Sequence, residues 1–110
     1  MNRNTISPIE LQLEFSGTGQ HAGWVFTQVS RTDYGCVYRR TSKDVSHSYY
    51  EVFRRRIAKE SIRKFPNGYV KEYPYRVIYP GDSAFGEWAW CCGTLERANE
   101  ILKSFECGQS

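Results

Sequence analysis

Histidine and cysteine are the side chains best suited to proton transfer and nucleophilic attack near neutral pH. The chain holds His21 and His47 with Cys36, Cys91, Cys92 and Cys107. His21 lies in a glycine-rich stretch and His47 in a polar segment ahead of a strand, and neither has an acid or nucleophile at a recognisable spacing. Cys91 and Cys92 are neighbours, so on a strand they point to opposite faces and form neither a chelating pair nor a bond with each other. All four cysteines read as reduced thiols that fill space, with a disulfide framework as the alternative for an even count in a short chain. A structural zinc site needs four soft ligands in paired spacing, and the usual pairs are missing. The segment from Gly17 to Gly23 lacks the lysine that follows the glycines of a phosphate-cradling loop, and no strong helix follows it. The expectation is no catalytic residue, no metal and no cofactor, with an enzyme built on an unrecognised Cys/His site as an alternative.

Binding chemistry is better supplied. Residues 54–76 carry eight Lys/Arg against only Glu60 and Glu72. Formal charge is −1 over residues 1–23, +1 over 24–53, +6 over 54–76 and −3 over 77–110, an asymmetry that the total of +3 conceals. Tyr49, Tyr50 and Phe53, then Phe65, Tyr69, Tyr73 and Tyr75, are interleaved with these cations. Phosphates are neutralised by Lys/Arg and bases stack on flat rings, so the block predicts a face for nucleic acid or for a protein that holds one. In that face Arg54, Arg55, Arg56, Arg63 and Lys64 supply the charge, and Tyr73 or Tyr75 stacks or packs beside them. A solvated edge that discourages strand addition is the structural alternative for the same cations.

The elements that must position these residues follow from period and turn chemistry. At 110 residues the chain has room for one core, to which seventeen aromatics must contribute much of the area. Residues 9–15 alternate apolar and polar, as a half-buried strand does, and residues 16–23 read as a flexible linker. Residues 1–23 are therefore expected to stand apart from an α+β core domain over 24–110. Residues 24–32, 34–41 and 48–57 form an antiparallel meander, residues 58–68 a basic excursion that holds one or two helical turns at most before Pro66-Asn67-Gly68 stops it, and residues 69–79 a β-prone stretch whose strand either lies at an edge or breaks at Pro74. A further strand over 85–93 places Trp88, Trp90 and Cys92 on one face, either as core or as a partner's anchor. Thr94 caps a last helix whose stripe is Leu95, Ala98, Ile101, Leu102 and Phe105, with Gly108 after its final turn. The fold class is α+β: a single-domain antiparallel sheet of about four to five strands packed by a C-terminal helix, its other face open unless a partner or the N-terminal strand closes it.

Three segments, Tyr50-Glu51-Val52-Phe53-Arg54-Arg55-Arg56, then residues 79–90 beginning Tyr79-Pro80-Gly81-Asp82, then Thr94-Leu95-Glu96-Arg97-Ala98, resemble small proteins of unassigned role encoded by bacteriophages and other mobile elements. The likeness covers roughly the C-terminal half and transfers no catalytic residue. It implies a bacterial host cytosol and a protein that acts by binding a host machine, a class that includes inhibitors of CRISPR nucleoprotein complexes. Met1 opens no charged-then-apolar leader and no apolar run nears the roughly eighteen residues of a membrane span, which also predicts a cytoplasmic protein without a membrane partner. The expected partner is a host protein or nucleoprotein complex, or nucleic acid itself. A protein–protein adaptor or homodimer assembled through the N-terminal strand is the alternative.

Overall fold

The computed structural model describes residues 7–107. In chain order its strands are β1 (Glu14–Ser16), β2 (Trp24–Arg31), β3 (Gly35–Ser42), β4 (Val45–Arg54), β5 (Ile57–Ala58), β6 (Ser61–Lys64), β7 (Val70–Tyr73), β8 (Arg76–Val77) and β9 (Ala89–Cys92). The helix α1 (Leu95–Cys107) closes the order, and short 3-10 turns occupy Gly19–His21 and Asp82–Ala84. Two compact units result: residues 12–55 with 80–107, and residues 7–11 with 56–79. These divisions fall away from residue 23, and Glu14–Ser16 sits in the same sheet as the strands that follow.

The first unit is a five-stranded antiparallel sheet in the order β1-β2-β3-β4-β9 with α1 packed on one face, the α+β architecture expected from the sequence. Strand alternation decides which residues the helix meets. Val37 lies opposite Val52, which lies opposite Trp90, and Tyr50 lies opposite Cys92. These residues share a face with Ala98, Leu102 and Phe105 of α1. The helix begins where expected: the Thr94 hydroxyl accepts from the Arg97 amide at 3.2 Å. Leu95, although part of the stripe by spacing, is exposed at the first turn.

The opposite face is covered at its centre, where Tyr38 and Phe53 are 0% exposed, while Cys91 and Tyr49 on the same face are exposed. A run of aromatic contacts crosses it. Phe15 stacks on Phe26 at 5.0 Å and tilts against Tyr38 at 5.7 Å, Tyr38 stacks on Phe53 at 5.9 Å, and Trp88 meets Phe53 edge-on at 6.4 Å. The Tyr38 hydroxyl donates to the Gln12 carbonyl at 2.6 Å and accepts from the Gln28 amide at 3.0 Å, so the buried ring carries no unpaired polar atom. Trp88 and Trp90 are thus on opposite sides of the sheet, contrary to the alternation expected over 85–93. The cause is local: the Glu87 and Trp88 amides both donate to the Ala84 carbonyl and Gly86 sits at φ +96°, so a turn precedes the strand and resets its phase. Trp90 packs on Phe105 at 5.8 Å and both tryptophans are half-buried. Gly35 is required by close approach, since a Cβ there would run into the Phe53 carbonyl oxygen and the Phe105 ring.

The second unit is built from paired short strands. β5 pairs with β8, Ile9 bridges to Arg76, and the Ile9 amide donates to the Tyr75 carbonyl at 3.0 Å. The expected strand over 9–15 is therefore divided, with Ile9 in this unit and only Glu14–Ser16 paired with β2. β6 pairs with β7 as a hairpin, so residues 61–64 of the basic excursion expected over 58–68 are regular strand. Pro74, which lacks a ladder donor, separates β7 from β8 as its chemistry requires. Gly108 and the side chain of Cys107 lie outside the described residues.

Candidate nucleic-acid interface

The β6–β7 hairpin owes its form to its turn. Pro66 and Asn67 occupy the central positions of a turn closed by the Gly68 amide donating to the Phe65 carbonyl at 3.0 Å. Gly68 follows at φ +87°, a conformation that glycine adopts without strain. The Asn67 side chain accepts from the Tyr69 amide at 3.0 Å, and the Phe65 amide donates to the Tyr69 carbonyl at 2.8 Å. This three-residue loop with a left-handed glycine is a common hairpin closure.

Register then sorts the side chains. Ser61 faces Tyr73, Arg63 faces Lys71, and the Phe65–Tyr69 pair continues the same face, so one side of the ribbon reads tyrosine, cation pair, aromatic pair. Both strands are exposed along this length, with Tyr73 half-buried. The cations rest near the rings. Arg63 lies 5.5 Å from the Phe65 centroid, Lys71 lies 5.2 Å and Arg76 5.1 Å from that of Tyr73, and Phe65 and Tyr69 tilt together at 5.6 Å. Among the described residues no carboxylate pairs with Arg63, Lys64 or Lys71. Two like charges directly opposite each other are unfavourable to the hairpin, and an anion between them removes that repulsion.

The other anticipated residues are distributed differently. Arg54 ends β4 in the sheet unit, where its guanidinium covers the Phe105 ring at 4.5 Å. Arg55 is half-buried and its amide donates to the Tyr34 carbonyl at 2.8 Å. Arg56 is exposed, and its carbonyl accepts from the Ile78 amide at 3.0 Å. Lys64 lies opposite Val70 on the second face of the ribbon, and Tyr75 is half-buried beside the Ile9 bridge. The structure therefore joins Arg63 and Tyr73 on one face and places Arg54 and Arg55 in the other unit. Phe65 and Tyr69, part of the anticipated aromatic block but given no role of their own, and Lys71, counted there only in the charge, also belong to the ribbon face. The period-two spacing of 61, 63, 65 and of 69, 71, 73 around Pro66-Asn67-Gly68 is the signal that identifies them.

Among the described residues the histidines and cysteines form no comparable constellation. His21 lies 3.8 Å from Asp82, beyond hydrogen-bonding distance, while Gln20 donates to the same carboxylate at 2.8 Å. His47 packs edge-on against Tyr49 at 4.9 Å. Cys91 lies opposite Glu51, whose buried carboxylate pairs with Arg40 at 3.1 Å. Partial burial, and next the Glu51 charge, raise the Cys91 thiol above its ordinary pKa despite the opposing Arg40, and burial raises Cys92 likewise. Both are therefore weak nucleophiles at neutral pH. Cys36, Cys91 and Cys92 are free thiols, and no cluster of metal-binding side chains occurs among the described residues. No helix among the described residues is long and apolar enough to cross a membrane. Comparison with known proteins finds no matching family model, no matching curated protein and no matching solved structure.

Proposed function

We propose that the chain is a non-enzymatic binding protein whose β6–β7 ribbon docks on nucleic acid. One observation carries this role: Arg63 and Lys71 stand directly opposite each other on an exposed ribbon, without a carboxylate partner among the described residues, between Tyr73 and the Phe65–Tyr69 pair. Cations so placed neutralise phosphates, and each phosphate neutralised adds to the salt dependence of binding. The host-defence role implied by the resemblance to mobile-element proteins would use the same face against the nucleic acid of a CRISPR complex. β1 pairs with β2 of its own chain and is the first strand of the sheet order.

The test is the affinity for labelled oligonucleotides, single-stranded and duplex, measured by fluorescence anisotropy as salt is varied. Wild-type protein is expected to lose affinity linearly on a logarithmic scale. The variant R63A/K71A is expected to reduce the slope by roughly 1.4 to 1.8, two contacts at about 0.7 each on a single strand or 0.9 each on a duplex. Absence of salt-dependent binding to either form, or a slope unchanged by the double substitution, removes the ribbon from this role.

A further inference from the structure

The make-up of the ribbon face selects among nucleic acids. We infer that its ligand is a single strand, with a base stacked on Tyr69 and the flanking phosphates held by Arg63 and Lys71; this rests on the nucleic-acid role proposed above. Tyr69 is 57% exposed at the hairpin tip, and Phe65 is its one ring partner among the described residues, so Tyr69 offers a π-surface to solvent. Tyr73 differs: it is half-buried, and Lys71 and Arg76 both lie within 5.2 Å of its ring centroid, which makes it a support for cations rather than a stacking platform. Tyr69 immediately precedes β7 and stands two residues from Lys71, a rise of about 6.8 Å in extended chain, and Phe65 immediately follows β6, two residues from Arg63. Ring and charge thus stand about one nucleotide apart.

A duplex would use only part of this arrangement. Arg63 and Lys71 could reach its phosphates or guanine edges, but its base faces are hidden in the stack, so Tyr69 would have nothing to lie on. The ribbon face consists of Ser61, Arg63, Phe65, Tyr69, Lys71 and Tyr73, half of it aromatic. A single strand presents base faces that stack on aromatic rings whatever the sequence, together with a flexible backbone for the cations to follow. Weak sequence preference is the corollary.

The experiment compares a labelled twelve-nucleotide single strand with the duplex of the same sequence, using wild type, Tyr69→Leu and Tyr69→Trp. The turn bonds of residue 69 are made by its backbone, so both variants retain them, and amide exchange at Phe65 verifies that the hairpin persists. The single strand is expected to bind at least tenfold tighter than the duplex. Tyr69→Leu should cost roughly 5- to 150-fold for the single strand, the range found for losing one stacked base, and Tyr69→Trp should retain affinity. A duplex bound as tightly as the single strand, or an intact hairpin indifferent to Tyr69→Leu, overturns the single-strand inference and leaves the nucleic-acid role standing. Failure of wild type to bind either form overturns both.

Discussion

Replacing Arg63 by glutamate separates what the ribbon does for its own folding from what it does for a partner. Arg63 lies directly opposite Lys71. Two like charges about 6 Å apart in water repel by about 0.7 kcal/mol, which a Debye length of about 10 Å reduces to about 0.4 kcal/mol. Arg63→Glu turns that repulsion into a similar attraction, a gain of about 0.8 kcal/mol, in line with measured cross-strand pairs. The substitution also removes the Arg63 contact with Phe65, which at 5.5 Å is near the outer limit of such contacts and contributes about 0.5 kcal/mol. Hairpin stability should therefore stay level or rise by a few tenths of a kcal/mol. Arg63→Ala loses both effects without gaining the attraction, so Arg63→Glu should exceed it by about 0.4 kcal/mol. Binding must run the other way. One contact with a salt slope of about 0.7 accounts for roughly fivefold in affinity between 1 M and 0.1 M salt; Arg63→Ala loses that factor and Arg63→Glu loses more. Amide exchange at Phe65, whose N–H donates to the Tyr69 carbonyl, reads the first quantity and oligonucleotide anisotropy the second. Wild-type affinity in Arg63→Glu, or an affinity loss matched by a loss of protection, would show that the opposed cations serve no ligand.

Three further outcomes concern the sheet unit. Gly35→Ala should destabilise by about 1–3 kcal/mol in urea denaturation, because the added methyl meets the Phe53 carbonyl and the Phe105 ring; a neutral result would place more freedom there than the packing allows. Glu51→Ala leaves the Arg40 guanidinium, stacked 4.4 Å from the Trp24 ring, without its carboxylate. The cost should be about 3 kcal/mol, the low end for breaking a buried pair, since Arg40 keeps some solvent contact; denaturation midpoints would measure it. Cys91 should react slowly with iodoacetamide at neutral pH and faster as pH rises, and Glu51→Gln should speed it by lowering the thiol pKa. With the folded pKa raised, the fold favours the neutral thiol, so this contribution to stability is present below the ordinary thiol range and lost as pH climbs through the folded value.

Where one period and one cap agreed, the fold could be read from the residues. The meander of β2 to β4 follows from β-branched runs and polar turns, and α1 follows from Thr94 and the Ala98–Leu102–Phe105 stripe. Alternation over 9–15 fixed neither facing nor partner: Ile9 and Leu13 are exposed, Ile9 joined Arg76 and only Glu14–Ser16 joined β2. Trp88 escaped the phase of Trp90 because a turn at Ala84–Trp88 interrupts the count, and turns that depend on one left-handed glycine leave little trace in a periodic pattern. Pro66-Asn67-Gly68 was legible as a stop but not as the closure of a hairpin, since the flanking strands carry cations where β-branched residues would announce them. Of the candidate site, charge and aromatic content were visible in composition, whereas the opposed pair of Arg63 and Lys71 exists only once register is set.

The same residue types serve two ends in this chain, and their neighbours decide which. In the sheet unit, rings meet rings: Phe15, Phe26, Tyr38 and Phe53 exclude water from one another, and Tyr38 and Phe53 lose all exposure. Arg54 lies over Phe105, so its guanidinium covers part of a ring in the helix face. In the ribbon, rings meet cations, and Tyr69 keeps more than half of its surface in water. Exposed aromatic surface adds nothing to the stability of the hairpin, and opposed like charges subtract from it. A stacked base buries the first and a phosphate neutralises the second, so one ligand improves both. It follows that the β6–β7 amides should gain exchange protection when an oligonucleotide binds, while those of β2 to β4, already held by the aromatic face and α1, should change little. Protection spread evenly over both units would mean that the ribbon is not where the ligand sits.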